Sequence, residues 1–265
     1  MRVAILFAIL PAMACTESAV AQDTTYQNAK YGPSTPDRAT YYRVKARTDS
    51  GWRVSEYRMS GKPQSIINYK DDSLKVRQGE FISYNDKGVV VYRTSFLDGK
   101  ADGNETYFYE TGRLRATGLR KGGDYEGEWV GYFPSGKLAG KATFVHGKEV
   151  SGEFFHEDGS PNKEVTEFFH ESTYPGGAPA FMRFLNKSIK YPKEAIKRDT
   201  QGTVVVQFVV NKDGTVSDLE VYKSADKYLD EEALRVLGLM SNWEPAMMAG
   251  IPLKSYKRQP IVFRF

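Results

Sequence analysis

The sequence predicts a mainly β protein whose last third is a separate α+β domain. Three observations carry that expectation. Glycines and aromatics recur about every 24 residues in the middle of the chain. Tyr (17) and Phe (15) are abundant, which favours strands. Near Glu171 the pattern switches to alternating helix and strand periods. At 265 residues the chain has room for about two domains. Its 40% hydrophobic and 26% charged residues are ordinary globular usage, which excludes a wholly disordered chain and a polytopic membrane protein. The net charge of +4 arises from 37 basic and 33 acidic side chains without a basic stripe, so nucleic acid is not an expected partner.

The first residues read as an export signal. Met1-Arg2 is a short positive start, Val3 to Ala14 is apolar apart from Pro11, and residues 16–21 end in an A-x-A pattern. That layout predicts a signal peptide over 1–21, cleaved after Ala21. Two alternatives stand beside it: a retained anchor, although the apolar core is shorter than a spanning helix needs, and lipidation at Cys15 after Ala12-Met13-Ala14. Each puts the rest of the chain outside the cytoplasm. Cys15 is the single cysteine, so no intrachain disulfide can form. His146, His156 and His170 lack ligand-spaced partners, and no metal or cofactor is expected. Residues 22–54 open on a polar stretch with Pro33 and Pro36 and are expected to be a leader or linker.

Residues 55–168 repeat. Tyr84 to Gly88 (YNDKG), Tyr109 to Gly112 (YETG), Phe133 to Gly136 (FPSG) and Phe155 to Gly159 (FHEDG) each set an aromatic before a glycine turn, with glycines 24, 24 and 23 residues apart. A second series, Gly79, Gly103, Gly127 and Gly152, is spaced 24, 24 and 25. Alternating runs between them, such as Leu114-Arg115-Ala116-Thr117, suit half-buried strands, and the glycines supply the positive φ of tight turns. The expected structure is a meander of stacked β-hairpins, each too small to bury its own face. Its aromatics have two readings: core between repeats, their usual fate, or an exposed surface for a ligand such as cell-wall glycan or a protein.

After the turn cluster Tyr174-Pro175-Gly176-Gly177, the apolar spacing of Phe181, Phe184, Leu185 and Ile189 predicts a helix over 179–189. Tyr191-Pro192 ends it, and 193–198 forms a short second piece. Thr203 to Val210 (TVVVQFVV) is the strongest strand in the chain, and Asn211 to Gly214 turns it into a second strand over 216–223. Asp230-Glu231-Glu232 opens a helix whose buried stripe is Ala233, Leu234, Leu237 and Met240. Trp243 is a packing anchor, Gly250 a turn, and Leu253 to Phe265 a last strand. Two helices would then cover one face of a three-stranded antiparallel sheet.

The repeats resemble the bacterial variant of MORN-type repeats, which implies an elongated β-meander and no single activity. Residues 171–265 resemble the C-terminal domain of the TonB family. The resemblance is carried by Tyr174 to Gly177, Phe184-Leu185, Tyr191-Pro192 with Ala195, Phe208 to Gly214, Leu229 to Arg235, Trp243-Glu244-Pro245, Gly250 to Pro252 and Pro260 to Phe263. It implies binding of a short extended peptide from an outer-membrane TonB-dependent transporter, added as a strand beside the last strand and linked to energy-dependent transport. On that basis Lys254, Ser255, Lys257, Arg258, Gln259, Ile261 and Phe263 are candidate partner-binding residues on the strand, and Tyr191, Pro192 and Lys193 form a neighbouring corner. An edge strand does offer unpaired backbone groups to a guest, but Pro260 interrupts the row of donors. The resemblance also brings in inner-membrane proton-motive motor proteins as partners. The spanning helix and Pro-rich rod of a TonB transducer have no counterpart here, however, which puts force transmission in doubt. Peptidoglycan is the partner under the glycan reading of the repeats. No phosphate loop, nucleophile elbow or paired acid/base set appears, so no enzymatic activity is expected.

Overall fold

The computed structural model describes residues 23–29 and 31–265. The export-signal expectation for residues 1–21 lies outside them. The chain divides into two compact units, 1–88 with 96–99, and 89–95 with 100–265. Among the described residues no helix is long and apolar enough to cross a membrane.

The first unit is an antiparallel meander of β1 (Asp23–Gln27), β2 (Tyr41–Thr48), β3 (Gly51–Arg58), β4 (Pro63–Tyr69) and β5 (Arg77–Tyr84), each paired with the next. Residues 22–54 are therefore not a linker, because they supply two complete strands and half of a third. Tyr42, Val44 and Ala46 alternate as a strand requires, but they lie outside the glycine series that marks the repeats. Val54, Ile67 and Ile82 are buried, and Glu56 accepts hydrogen bonds from Arg43 Nε and Ser65 Oγ, both at 2.5 Å. Cations cover the aromatics of this unit: Lys45 Nζ lies 4.5 Å from the Trp52 ring centre, and the Arg77 guanidinium lies near both Phe81 (5.5 Å) and Phe96 (5.1 Å).

The next strands are β6 (Val90–Leu97), the short β7 (Lys100–Ala101), β8 (Gly103–Phe108), β9 (Leu114–Lys121), β10 (Asp124–Tyr132), β11 (Leu138–Val145) and β12 (Lys148–Phe154). In the second unit β6, β8, β9, β10, β11 and β12 pair in that order, all antiparallel. The predicted glycine turns form: Gly112 and Gly136 sit at φ of 82° and 89° and each donates to the carbonyl of the aromatic three residues earlier, at 2.8 Å. A further set escaped the sequence reading. Asp98-Gly99, Gly122-Gly123 and His146-Gly147 all have positive φ at both positions, as two-residue hairpin turns need.

Part of the aromatics of this unit are core: Trp129, Phe144 and Phe154 are buried, whereas Tyr109, Phe133 and Phe155 before the glycine turns are half-buried. Trp129 is fully buried, lies against Tyr125 and Phe144, and donates to the Leu119 carbonyl at 3.1 Å. It lies flat on Gly118, where a Cβ would come within 2.2 Å of the ring. The array ends after one more glycine turn. Pro161 still bridges Phe155, but it has no N–H to extend a ladder, and the chain leaves the sheet there.

The chain then forms β13 (Phe169–His170), α1 (Gly177–Ser188), α2 (Lys193–Lys197), β14 (Gly202–Val210), β15 (Val216–Lys223), α3 (Lys227–Leu237), β16 (Ala246–Met248), β17 (Ile251–Leu253) and β18 (Ser255–Phe263). As expected, helices cover a three-stranded antiparallel sheet, here in the order β15-β14-β18. Phe181 and Leu185 of α1, Leu229, Ala233 and Val236 of α3, and the alternating Val204, Val206, Phe208 and Val210 of β14 fill the space between. Asp226 caps α3 by accepting from the Tyr228 N–H, so the helix starts a turn earlier than the acidic run suggested.

The expected last strand, 253–265, is shorter. Leu253 belongs to β17, and Lys254 lies between strands. β13, β16 and β17 form a second small sheet that periodicity did not reveal, since its strands have two or three residues. Its hairpin turns at Ala249 and Gly250, φ 50° and 76°, and packs on the array. Gly131 leaves room for it: a Cβ there would lie 2.6 Å from the Ala249 Cβ. Arg115 donates to the carbonyls of Ile251 (3.2 Å) and Pro252 (3.4 Å), and burial lowers its pKa.

Candidate functional site

β18 lies at the edge of the sheet. One side pairs with β14 over nine consecutive residues, from Gly202↔Phe263 to Val210↔Ser255, with no shift in register. The other side pairs with no strand among the described residues. The far edge, β15, differs: its pairing with β14 shifts register twice, and Asp218 sits at φ 53°. A straight edge presents evenly spaced N–H and C=O groups, whereas bulges disrupt such a template.

Pro260 sets which groups face outward. A proline inside a strand is tolerated where its missing N–H would have faced away from the neighbour. The Pro260 carbonyl accepts instead from the Gln259 side chain at 3.1 Å. Antiparallel backbone groups alternate in direction, so Tyr256, Arg258 and Val262 share the outward orientation of Pro260. The side chains of these residues are all exposed, Tyr256 to 79% and Val262 to 55%.

The candidate residues fall into distinct settings. Ile261 and Phe263 are core side chains, 1% and 2% exposed, because the inward alternation of β18 meets α1 and α3. They cannot offer side chains to a partner, which corrects their place among the candidates. Ser255 Oγ hydrogen-bonds Ser172 Oγ at 2.7 Å, and Lys257 pairs with Glu171 at 3.2 Å, so both tie the strand to the preceding segment. Arg258 lies on the open sheet face, 3.6 Å from the Tyr222 ring centre, and reaches Gln207 at 3.4 Å. Gln259 is half-buried, and Lys254 is exposed just before the strand.

Tyr191 and Pro192 adjoin the far end of β18. The Tyr191 ring stacks on Phe265 (4.7 Å) and meets Phe263 edge-on (5.8 Å), while its hydroxyl donates to the Thr200 carbonyl at 2.7 Å. Pro192 caps α2, its carbonyl accepting from Ala195 and Ile196, both at 3.0 Å. Lys193 is exposed beside them.

Two residues outside the candidates hold this corner. Glu232 on α3 accepts from the Lys190 N–H at 2.6 Å and pairs with Arg235 at 2.7 Å, and Arg235 donates to the Ser188 carbonyl at 2.7 Å. Burial pushes the Glu232 carboxyl up, but Arg235 and the Lys190 N–H outweigh it and hold the carboxyl below its ordinary value. The sequence carried a signal: Glu232 interrupts the apolar stripe Leu229, Ala233, Val236 of α3.

Residues 187–265 match the family model of the Gram-negative bacterial TonB protein C-terminal, and residues 125–146 match that of the MORN repeat variant. Among solved structures, the solution structure of the Helicobacter pylori TonB C-terminal domain (residues 179–285) is 26% identical, covers 34% of this chain and 86% of its own, and has a TM-score of 0.26. No curated protein matches. The chain thus carries a segment similar to a MORN-variant repeat and, at its C-terminal end, a segment similar to the TonB C-terminal domain.

Proposed function

We propose that the C-terminal domain captures an extended peptide of an outer-membrane transporter by adding it as a fourth strand against β18. The observation that carries this reading is the unshifted nine-residue register of β18 on an otherwise open edge. Strand addition needs a row of free backbone groups held straight, and α1, α3 and β14 hold this row from behind. Membership of residues 187–265 in the TonB C-terminal family supports the choice of partner. The protein is read as a binding component of the Gram-negative envelope rather than an enzyme.

The test is calorimetric titration of the described chain, residues 23–265, with a synthetic Thr/Val-alternating peptide. Val262→Pro removes one outward N–H while leaving the ladder to β14 untouched, and should weaken binding by about tenfold or more. Equal affinity of this variant and the parent would refute strand addition at β18.

A further inference from the structure

β18 is held differently along its length. In its second half, Ile261 and Phe263 are core side chains packed with α1, α3 and β14. The inward positions of its first half are Ser255, Lys257 and Gln259, all polar and half-buried, so burial of apolar surface does not fix them. What holds the first half lies outside the three-stranded sheet. Lys254 alone separates Ser255 from β17, and a chain spans at most about 3.6 Å per residue, so a shift of β17 passes directly into β18. The repeat array fixes β17. Arg115 of β9 donates to the carbonyls of Ile251 and Pro252, and the Tyr109 ring lies 5.4 Å from its guanidinium. Among the described residues Arg115 has no hydrogen bond at its buried Nε, so its guanidinium serves these two carbonyls. A second tether leads back to the same place. Ser172 and Glu171, which bond Ser255 and Lys257, directly follow β13. Just before β13, Phe168 is fully buried beside Trp129, and its N–H donates to Glu149 of β12 at 2.8 Å.

We propose that the array is a positioning element of the β18 edge and Arg115 its positioning residue: by holding β17, it keeps Ser255 to Arg258 in line for a guest strand to add. The inference rests on the strand-addition reading and goes beyond it by making the repeats part of the site. An extended peptide binds an edge through several backbone bonds at once. A frayed first half takes the outward N–H groups of Tyr256 and Arg258 out of the row and leaves that of Val262. The coupling is reciprocal, so a bound peptide pins the first half of β18 and steadies the hairpin on the array.

The experiment uses residues 23–265 and two variants, Arg115→Met and Gly131→Ala. The first removes the donors to β17. The second keeps them and sets a Cβ 2.6 Å from that of Ala249, which lifts the hairpin. Amide exchange of the free proteins is read at Lys257 and Ile261, whose N–H groups both face β14. Exchange at Lys257 should rise by about tenfold in each variant while that at Ile261 stays within about twofold. A plain loss of stability would raise the two together. Calorimetric titration with the Thr/Val-alternating peptide should show binding weakened by about fivefold in both variants. Equal acceleration at the two amides, or none, overturns the positioning role. Parent affinity retained in both variants overturns it as well, and strand addition stands. If the parent itself binds no peptide at millimolar concentration, strand addition fails, and the proposal falls with it.

Discussion

Two sheet edges of the second unit, β12 at the end of the repeats and β18 at the end of the C-terminal sheet, treat the same hazard in opposite ways. β12 is bulged against β11, between Thr143 and Phe144. It carries Lys148, Glu149 and Glu153, and Pro161 soon follows it. The Glu149 carboxylate is occupied by the Phe168 N–H at 2.8 Å. These are the usual devices against unwanted pairing. β18 is longer, unshifted and open, with Pro260 as its one interruption. On the strand-addition reading, the straight edge is the one that admits the guest.

The comparison can be broken at its foundations first. The array depends on Trp129 lying on Gly118, and Gly118→Val should cost about 3 kcal/mol in chemical denaturation. A loss below about 1 kcal/mol would mean that the packing there is loose. Next is the corner beside β18. Glu232→Ala should cost about 2 kcal/mol by leaving the Lys190 N–H and Arg235 without their acceptor. Because the folded-state pKa of Glu232 is lowered, its contribution is full above the ordinary carboxylate range and fades as pH falls through the lowered value. Acid titration of stability should therefore be flatter in the variant than in the parent.

Edge chemistry comes third. Val262→Pro should abolish most guest binding while shifting stability by less than about 1 kcal/mol, since no ladder bond is removed. The smallest effect belongs to the blunted edge. Lys141 and Glu153 pair at 3.1 Å across exposed positions, and Glu153→Gln should change stability by less than about 0.5 kcal/mol. A larger loss would show that the charges on β12 hold the array together and do not merely guard it.

Much of this was legible in the sequence, for physical reasons that can be named. The TVVVQFVV run alternates with period two and declares both a strand and its buried face, and the bounds of β15 follow from it. The glycine–aromatic period marks turns because positive φ and ring burial both constrain residue type. Strands without such marks were lost. β2 and the first half of β3 lie before the glycine rhythm begins, and they read as linker. The docking hairpin 246–253 was read as a stop and a turn, since its three-residue strands are stabilised by Trp129, Phe168 and Arg115 far away in the chain. On β18, the edge was readable and the facing of its side chains was not. Ile261 and Phe263 lie on the face opposite exposed Val262, and only the position of α1 and α3 tells which side is core. Because that hairpin leans on the array, a fragment beginning near residue 171 would expose Met248 and Ala249, so binding is best measured on the longer chain.

The most direct test of the central claim is amide hydrogen exchange, read residue by residue, on the longer chain with and without a saturating Thr/Val-alternating peptide. The account predicts new protection at Tyr256, Arg258 and Val262 and unchanged exchange along Val216–Lys223. Protection appearing on β15, or on neither edge while the peptide is bound, would contradict it.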